Sequence, residues 1–413
     1  MKVLVINCGS SSVKYQVFDM EDERVIAKGI CEKIAVSEGS GHIKHTPQNG
    51  KPTFNEDIAL PNHTVAIKKV LSLLGSEEYG VVANLSEIGA VGHRVLNGGP
   101  KYATSVVVTQ EVIEDIKRFI PLGPLHNPHN LSGINACFEA MPGVAQVATF
   151  DTSFHATMPE HAFTYAIPYE YTQKHNIRRY GFHGTSHRYV SERAIEKLGG
   201  KPNSRVVTLH LGNGSSLAAI RDGKVIDTSM GLTPLEGVPM GTRSGSIDPA
   251  VVEFIADKEG FSVGEVLKVL NNESGIYGVS GVSSDFRDVE FVAGDQRSPN
   301  PDLAEQAADP ELARRSKLAL EIFYYNVAKI AASYIAVLGG ADAIVFTAGL
   351  GENSPETRER IIAYLAAFGV TVNVEENAKR GEIEITGADS KVRVFVIPTN
   401  EELVIARDTN ALV

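Results

Sequence analysis

An α/β fold made of two related halves is what this sequence predicts, and three observations carry it. The first nineteen residues read as a β-hairpin around a glycine–serine turn. Residues 205–221 repeat the pattern half a chain later. Elsewhere, short apolar runs alternate with longer stretches of helical spacing, as strands covered by helices do.

The hairpin begins with Val3-Leu4-Val5-Ile6, an unbroken apolar run suited to a strand covered on both faces. It passes through Asn7 into Cys8-Gly9-Ser10-Ser11-Ser12, and Val13 to Asp19 then alternates apolar with polar. Gly9 lets the backbone come close to an anion, and the turn's N–H groups and hydroxyls can cradle a phosphate. Lys14 adds a point charge one step beyond. Taken alone, such a turn need only be a tight reversal with a solvated lysine. The second copy changes the weighing. From Arg205 to Arg221 an apolar run again enters a Gly-Ser-Ser turn, so that Gly9-Ser10-Ser11 aligns with Gly214-Ser215-Ser216. Two such hairpins suggest a duplicated domain with a phosphate-facing turn in each half.

A length of 413 residues fits two or more domains, and 43% apolar with 22% charged residues is ordinary globular composition. A net charge of −11 argues against nucleic acid or an anionic membrane as partner. An anionic ligand would have to be met locally, by placed Lys and Arg, helix N-termini or a metal. Cys8, Cys31 and Cys137 are scattered and odd in number, which fits a reducing compartment without a disulfide framework. The first apolar run is too broken for a signal peptide, and no stretch approaches the ~18 apolar residues of a membrane span. A cytoplasmic protein is expected.

In chain order, the polar residues 37–57 read as a loop or an edge hairpin. His63 to Leu74 has helical spacing and stops at Gly75. Ile88 to Leu96 is strand-like until Asn97-Gly98-Gly99-Pro100 breaks it, so Arg94 sits near a strand end. It is either a surface arginine or, embedded among small and apolar residues, one with an anionic partner. Pro121 to Asn130 reads as a rigid loop; His126 and His129 on it have metal-pair spacing but no cysteine or acid nearby, which favours a structural role. Asp151 follows the strand Ala145–Phe150, where ligands of open α/β sheets bind. It is a metal or catalytic candidate, or else an Asx turn on Thr152-Ser153. Tyr180 to His187 precedes a helix from about Ser186 to Leu198. His183 and His187 have zinc-pair spacing without a third ligand, and His183 is well placed to donate to transient negative charge.

Met230 to Pro249 is dense in Gly and Pro, carries Arg243, and is too long for a mere connector. Ser283-Ser284-Asp285-Phe286-Arg287 has no clear periodicity. A long helix runs from Asp309-Pro310 to Leu338, with Leu318, Ile322, Ile330, Tyr334 and Leu338 as its buried stripe. Ala341 to Thr347 is a strand, Ala348 to Asn353 a glycine turn, and Ser354-Pro355-Glu356 a helix start. After a strand at Val392–Ile397, Thr399-Asn400-Glu401-Glu402 opens the last helix; its glutamates suit the helix dipole, Glu401 less plainly than Glu402.

These residues together resemble the acetate kinase family, within the superfamily of acetate and sugar kinases, heat-shock chaperones and actin. The matching motifs run through the chain in order: Asn7 to Lys14, Gly92-His93-Arg94-Val95, Thr149-Phe150-Asp151-Thr152, Gly181 to His187, His210 to Ser216, Met240 to Gly245, Asp285-Phe286-Arg287, Gly349 to Asn353 and Pro398 to Glu402. The resemblance implies two ribonuclease-H-like domains, 1–152 with 399–413 and 153–398, with a cleft between them, and a homodimer. It implies reversible transfer of the ATP γ-phosphoryl group to acetate, giving acetyl phosphate and ADP, with Mg²⁺ as cofactor or Mn²⁺ in its place. Asn7 and Glu401 match the metal positions. Arg94 matches the carboxylate-binding arginine, with Leu96, Leu125, Phe182 and Pro234 as the other substrate contacts. Asp151, His183 and Arg243 match the catalytic positions. Ser10, Ser12, Lys14, His210, Leu211, Gly212, Asn213, Gly214, Asp285, Phe286, Arg287, Gly349, Leu350, Gly351, Glu352 and Asn353 match the ATP-binding segments.

The chemistry of the residues agrees. Acetate is already ionised at neutral pH and needs no base; the difficulty is bringing an anion against a polyanion and stabilising the transferring phosphoryl group in line. On this reading Asp151 orients Mg²⁺ or its waters. The chain departs from the family pattern in two places. Leu96-Asn97 stands where the family has Val-His, and Ser246 where it has an aspartate. A propionate or butyrate kinase would differ in pocket volume alone. An actin-like or chaperone-like ATPase would share the hairpins without needing Arg94, His183 and Arg243.

Overall fold

The structure, a computed structural model, describes residues 1–36, 41–295, 297 and 300–413. The chain divides into two compact units, Met1–Ala156 with Asn400–Val413, and Thr157–Thr399.

The first unit is a sheet of β1 (Lys2–Cys8), β2 (Val13–Asp19), β3 (Arg24–Glu32), β4 (His42–Pro47), β5 (Phe54–Asp57), β6 (Ile88–Val95), β7 (Val106–Val107) and β8 (Ala145–Phe150), in the order β5-β4-β3-β2-β1-β6-β8-β7. The second is a sheet of β9 (Arg205–Leu211), β10 (Ser215–Arg221), β11 (Lys224–Thr228), β12 (Ala343–Thr347), β13 (Ile383–Glu384) and β14 (Arg393–Val396), in the order β11-β10-β9-β12-β14-β13. β1 runs antiparallel to β2 and parallel to β6, which is parallel to β8. β9 runs antiparallel to β10 and parallel to β12, which is parallel to β14. The repeat seen in two hairpins is therefore a repeat of six-strand plans. β4 and β5 are the addition, an edge hairpin within residues 41–57; residues 37–40 of the stretch read as loop or hairpin lie outside the described residues.

Helices form where caps and periodicity agree. Asn62 accepts from Val65 N to open His63–Leu74, which buries Ala66, Ile67, Val70, Leu71, Leu73 and Leu74. Asp309 caps Pro310–Leu338, and Gly339, at φ +70°, closes it in the left-handed conformation that glycine adopts freely. The buried stripe of this helix differs from expectation: Leu318 is exposed, and Leu320, Phe323, Val327, Ala331, Tyr334 and Leu338 face the second unit's core. The stripe follows the packed sheet rather than the most apolar spacing on the helix. No helix among the described residues is long and apolar enough to cross a membrane.

Three local expectations are corrected. Residues 121–130 are not a loop throughout: a 3₁₀ turn at Ile120–Leu122 precedes a helix at Asn127–Ala140, so His129 lies in a first turn and His126 at its cap. Ala348–Asn353 is a helical turn, not a glycine loop. Ser215 and Ser216 are fully buried strand residues of β10, paired with Leu211 and His210. The second reversal is only Gly212-Asn213-Gly214, so its serines lie in the strand where Ser10–Ser12 lie in the turn, and the repeated Gly-Ser-Ser letters are out of structural register.

Candidate functional site

In the first unit the candidates gather at the carboxyl ends of β6 and β8. Arg94 lies opposite Thr149 in the parallel register, and Asp151 follows one residue beyond β8, its N–H donating to Val95 O at 2.9 Å. The two side chains meet edge to edge: Arg94 Nε donates to Asp151 Oδ1 at 2.9 Å and Nη2 to Oδ2 at 2.6 Å. Asp151 is wholly buried, while 24% of the Arg94 side chain is exposed. Burial works against the Arg94 charge, but the Asp151 carboxylate more than offsets it and holds the guanidinium well above its ordinary pKa. The expectation that Asp151 serves a metal or its waters thus meets a different geometry: both its oxygens accept from Arg94. What Asp151 does here is hold one edge of Arg94, leaving Nη1 on the other.

Arg94 and Leu96 line a concavity of about 200 Å³ with Asn7, Ser12, Lys14 and His126. Its walls are tied by two amides that the sequence reading passed over. Asn130 accepts from Leu96 N at 3.0 Å and donates to Cys8 O at 2.9 Å, and Asn127 brackets Asn97 by accepting from its N–H at 3.1 Å and donating to its carbonyl at 3.0 Å. Their signal was the Asn-Pro-His-Asn opening of a helix, where amides satisfy neighbouring backbone. Asn97, one of the family departures, is fully buried; its Oδ1 accepts from Gly99 N at 2.7 Å and its Nδ2 has no hydrogen-bond partner among the described residues. Asn7 and Lys14 face one another across the hairpin, and Ser10 is exposed on the turn. Leu125 is 63% exposed and is not among the lining residues.

The last helix, Glu401–Leu412, packs on β6 over Gly92, where a Cβ would meet Ile405 and Thr409. Burial pushes the Glu402 carboxyl up, Glu401 adds to that, and Arg94 and Lys14 pull it back. Both glutamates in turn support the Arg94 charge. Asn7 and Glu401 offer one amide and one carboxylate oxygen, and no group of three His, Cys, Asp or Glu side chains that could hold a metal occurs among the described residues. That donor set suits a hard ion that keeps its waters and takes further oxygens from phosphate, as Mg²⁺ does, and not zinc.

In the second unit, His183 stands at φ +57° immediately before the helix Gly184–Lys197. This left-handed conformation is costly for a non-glycine residue. Its Nδ1 is 2.8 Å from Ser216 Oγ, and its ring stacks on His210 at 4.1 Å. A Cβ added to Gly214 would lie 3.4 Å from His183 Nε2 and 3.9 Å from Arg243 Nη1, so both donors flank the β9–β10 reversal. Arg243 Nη1 reaches only Pro234 O, at 3.5 Å, and Met240 Sδ, at 3.9 Å, and makes no ion pair among the described residues. Burial alone lowers its pKa, yet a guanidinium stays charged at neutral pH. A largely buried cation with no counter-ion is a place for an anion. Its loop is held by Met240 N on Arg243 O at 2.9 Å and Gly241 N on Asn213 O at 3.1 Å. Ser246, the other departure, staples the loop to Gly237: Ser246 N donates to its carbonyl at 2.9 Å, and Ser246 Oγ accepts from its N–H at 3.1 Å.

The remaining candidates divide. Gly212, Asn213, Gly214 and Gly349 are accessible, whereas Leu211 and Leu350 are core side chains. Phe182 is fully buried. Asp285 caps the helix Phe286–Val292 and pairs with Arg287 at 2.6 Å, but the Phe286 ring is in the core, 4.8 Å from Phe323. Glu352 accepts from Ala348 N at 2.8 Å and Thr399 N at 3.2 Å, closing the ends of β12 and β14, and Asn353 is exposed. Arg358, unforeseen from sequence, is fully buried and donates to Gly351 O at 2.8 Å and Glu352 O at 3.0 Å, so it caps the helical turn behind them.

Two sheets of one plan, each with a small-residue reversal at its centre, define the class: an α/β protein of the actin-like ATPase fold, with a fixed arginine beside a small cavity in the first unit and, on a loop of the second, an arginine that has no ion pair among the described residues. The family profile described as the acetokinase family matches residues 2–407, and the chain belongs to that family. It is 53% identical to the acetate kinase of Halothermothrix orenii and 52% identical to that of Lachnoclostridium phytofermentans, with 100% of both chains covered in each case. Among solved structures, Porphyromonas gingivalis acetate kinase matches with a TM-score of 0.89 at 44% identity, covering 100% of this chain and 99% of that one. A propionate kinase from Francisella tularensis matches with a TM-score of 0.89 at 40% identity and full coverage of both.

Proposed function

We propose that this protein is an acetate kinase, a phosphotransferase that moves the ATP γ-phosphoryl group directly onto acetate and back again. The observation that carries the reading to a small carboxylate is Arg94: one edge is fixed by Asp151, and it lines a cavity of about 200 Å³ with Leu96. A planar guanidinium held on one edge presents its remaining N–H groups in a set direction, which suits a carboxylate.

On this reading Arg94 binds the acid while Leu96 bounds its methyl group, with Leu125, Phe182 and Pro234 as further substrate contacts. Asp151 acts by aiming Arg94. Lys14, Ser10 and Ser12 serve the phosphates, and residues 210–214, 285–287 and 349–353 the nucleotide, Phe286 and Leu350 by backbone and packing since their side chains are buried. His183 and Arg243 donate to the equatorial oxygens of the phosphoryl group as it transfers; the acetate oxygen forms the new P–O bond while the bond to the ADP oxygen breaks. Asn7 and Glu401 would hold Mg²⁺ or Mn²⁺, which when bound neutralises phosphate charge. A homodimer in the cytoplasm completes the proposal.

Acetate, ATP and Mg²⁺ mixed with hydroxylamine and this protein should give acetohydroxamate, and omission of any one should abolish it. ATP hydrolysis without hydroxamate would overturn the reading in favour of a chaperone-like or actin-like ATPase. The similarity to a propionate kinase supports a second reading on the same scaffold, in which kcat/KM is higher for propionate.

A further inference from the structure

We propose that Thr208, His187 and Ser216 form a one-way hydrogen-bond chain that sets the proton of His183 on Nε2. They are positioning residues for the phosphoryl-transfer chemistry just described, and the inference rests on that reading of His183. The four side chains are contiguous. Thr208 Oγ1 lies 2.7 Å from His187 Nδ1, His187 Nε2 lies 2.7 Å from Ser216 Oγ, and Ser216 Oγ lies 2.8 Å from His183 Nδ1. Thr208, His187 and Ser216 are all fully buried.

The direction follows from counting protons. Thr208 sits within β9, and His187 Nδ1 is the one acceptor its hydroxyl has among the described residues. Were Thr208 to accept instead, its own proton would be stranded in a dry core, at a cost comparable to a lost hydrogen bond. Thr208 therefore donates, and a neutral His187 must carry its proton on Nε2. That N–H donates to Ser216 Oγ. Ser216 has a single proton, which goes to His183 Nδ1. His183 is left with its proton on Nε2, the nitrogen beside Gly214 and Arg243 Nη1. A phosphoryl oxygen can only accept, so a neutral imidazole is useful there in this tautomer alone. A histidine held only by the nearer serine would have no such preference, because a hydroxyl both donates and accepts. The bias comes from Thr208, two side chains further back.

Thr208→Val and Thr208→Ser separate this from a packing role. Valine keeps the shape and loses the hydroxyl; serine keeps the hydroxyl and leaves a gap. Ring ¹⁵N shifts of the folded protein should place His183 in the Nε2–H tautomer in the parent and in Thr208→Ser, and in a mixture in Thr208→Val and Ser216→Ala. In the hydroxamate assay kcat should fall about 10–100-fold in Thr208→Val, as when a group orienting a working histidine is lost, with KM for ATP and acetate unchanged. Thr208→Ser should keep most of it. If Ser216→Ala fails to fold, the Thr208 pair decides alone. An unchanged His183 tautomer in Thr208→Val, or a serine variant worse than the valine one, overturns the chain. Absence of hydroxamate from the parent would instead overturn the function and leave the tautomer readout standing.

Discussion

Asp151 grips Arg94 by one edge, through Oδ1 to Nε at 2.9 Å and Oδ2 to Nη2 at 2.6 Å, with the carboxylate wholly buried and the arginine partly open. Fifty-seven residues separate them in the chain. They meet because β6 and β8 are parallel neighbours ending at the same level. Replacing Asp151 with Asn leaves a buried amide against a cation that has lost its countercharge. Stability should drop by up to about 3 kcal/mol, the low end for a broken buried pair because Arg94 is partly exposed. KM for acetate should rise more than KM for ATP, and the Mg²⁺ concentration giving half-maximal rate should stay put. Urea midpoints and three substrate titrations check this; a shift confined to the Mg²⁺ titration would return Asp151 to the metal.

Arg243 differs from Arg94 in lacking any ion pair among the described residues. An arginine waiting for charge that develops only during transfer should matter to kcat and little to binding. Arg243→Ala is expected to lower kcat by about 10³-fold with a small change in KM for ATP. A loss appearing only in KM would show that Arg243 binds ground-state nucleotide.

Leu96 is nearly buried and lines the cavity beside Arg94. Trimming it to Val or Ala should shift kcat/KM toward propionate, by about 1–3 kcal/mol for the one methylene that distinguishes the two acids. The ratio of the two acids in parent and variant measures it, and a parent that already prefers propionate would remove Leu96 from the specificity argument.

His93 is buried on β6, and burial lowers its pKa to about 4, partly opposed by its hydrogen bond to Gln146. The unfolded chain takes up that proton near pH 6.5, so the stabilisation is complete above 6.5 and is lost as pH falls toward 4. The loss from this one group should be about 2–4 kcal/mol. Urea unfolding midpoints followed from pH 7 to pH 4 should fall, and less steeply in His93→Gln; parallel curves would show that other groups govern the acid limb.

Much of the local structure was legible. His63–Leu74, Ala145–Phe150 and the caps at Asp309, Ser354 and Asn400 follow from periodicity and from side chains that satisfy helix-end N–H groups. Legibility failed where a neighbour overrode local spacing. Leu318 faces solvent because the sheet contacts a different stripe of its helix. Ala348–Asn353 became a helical turn because Glu352 and Arg358 reach back to cap it.

Local patterns along the chain settle the alternation of strands and helices, the two hairpins, and an inventory of basic and hydroxyl side chains suited to an anion. All of these are written in residues near one another in the chain. Pairing, by contrast, comes from the folded chain: Asp151 belongs to Arg94, Ser216 is a buried strand residue between two histidines, and the duplication extends to whole sheets. Register between parallel strands joins residues dozens of positions apart, and no local pattern encodes which side chains that register will bring edge to edge.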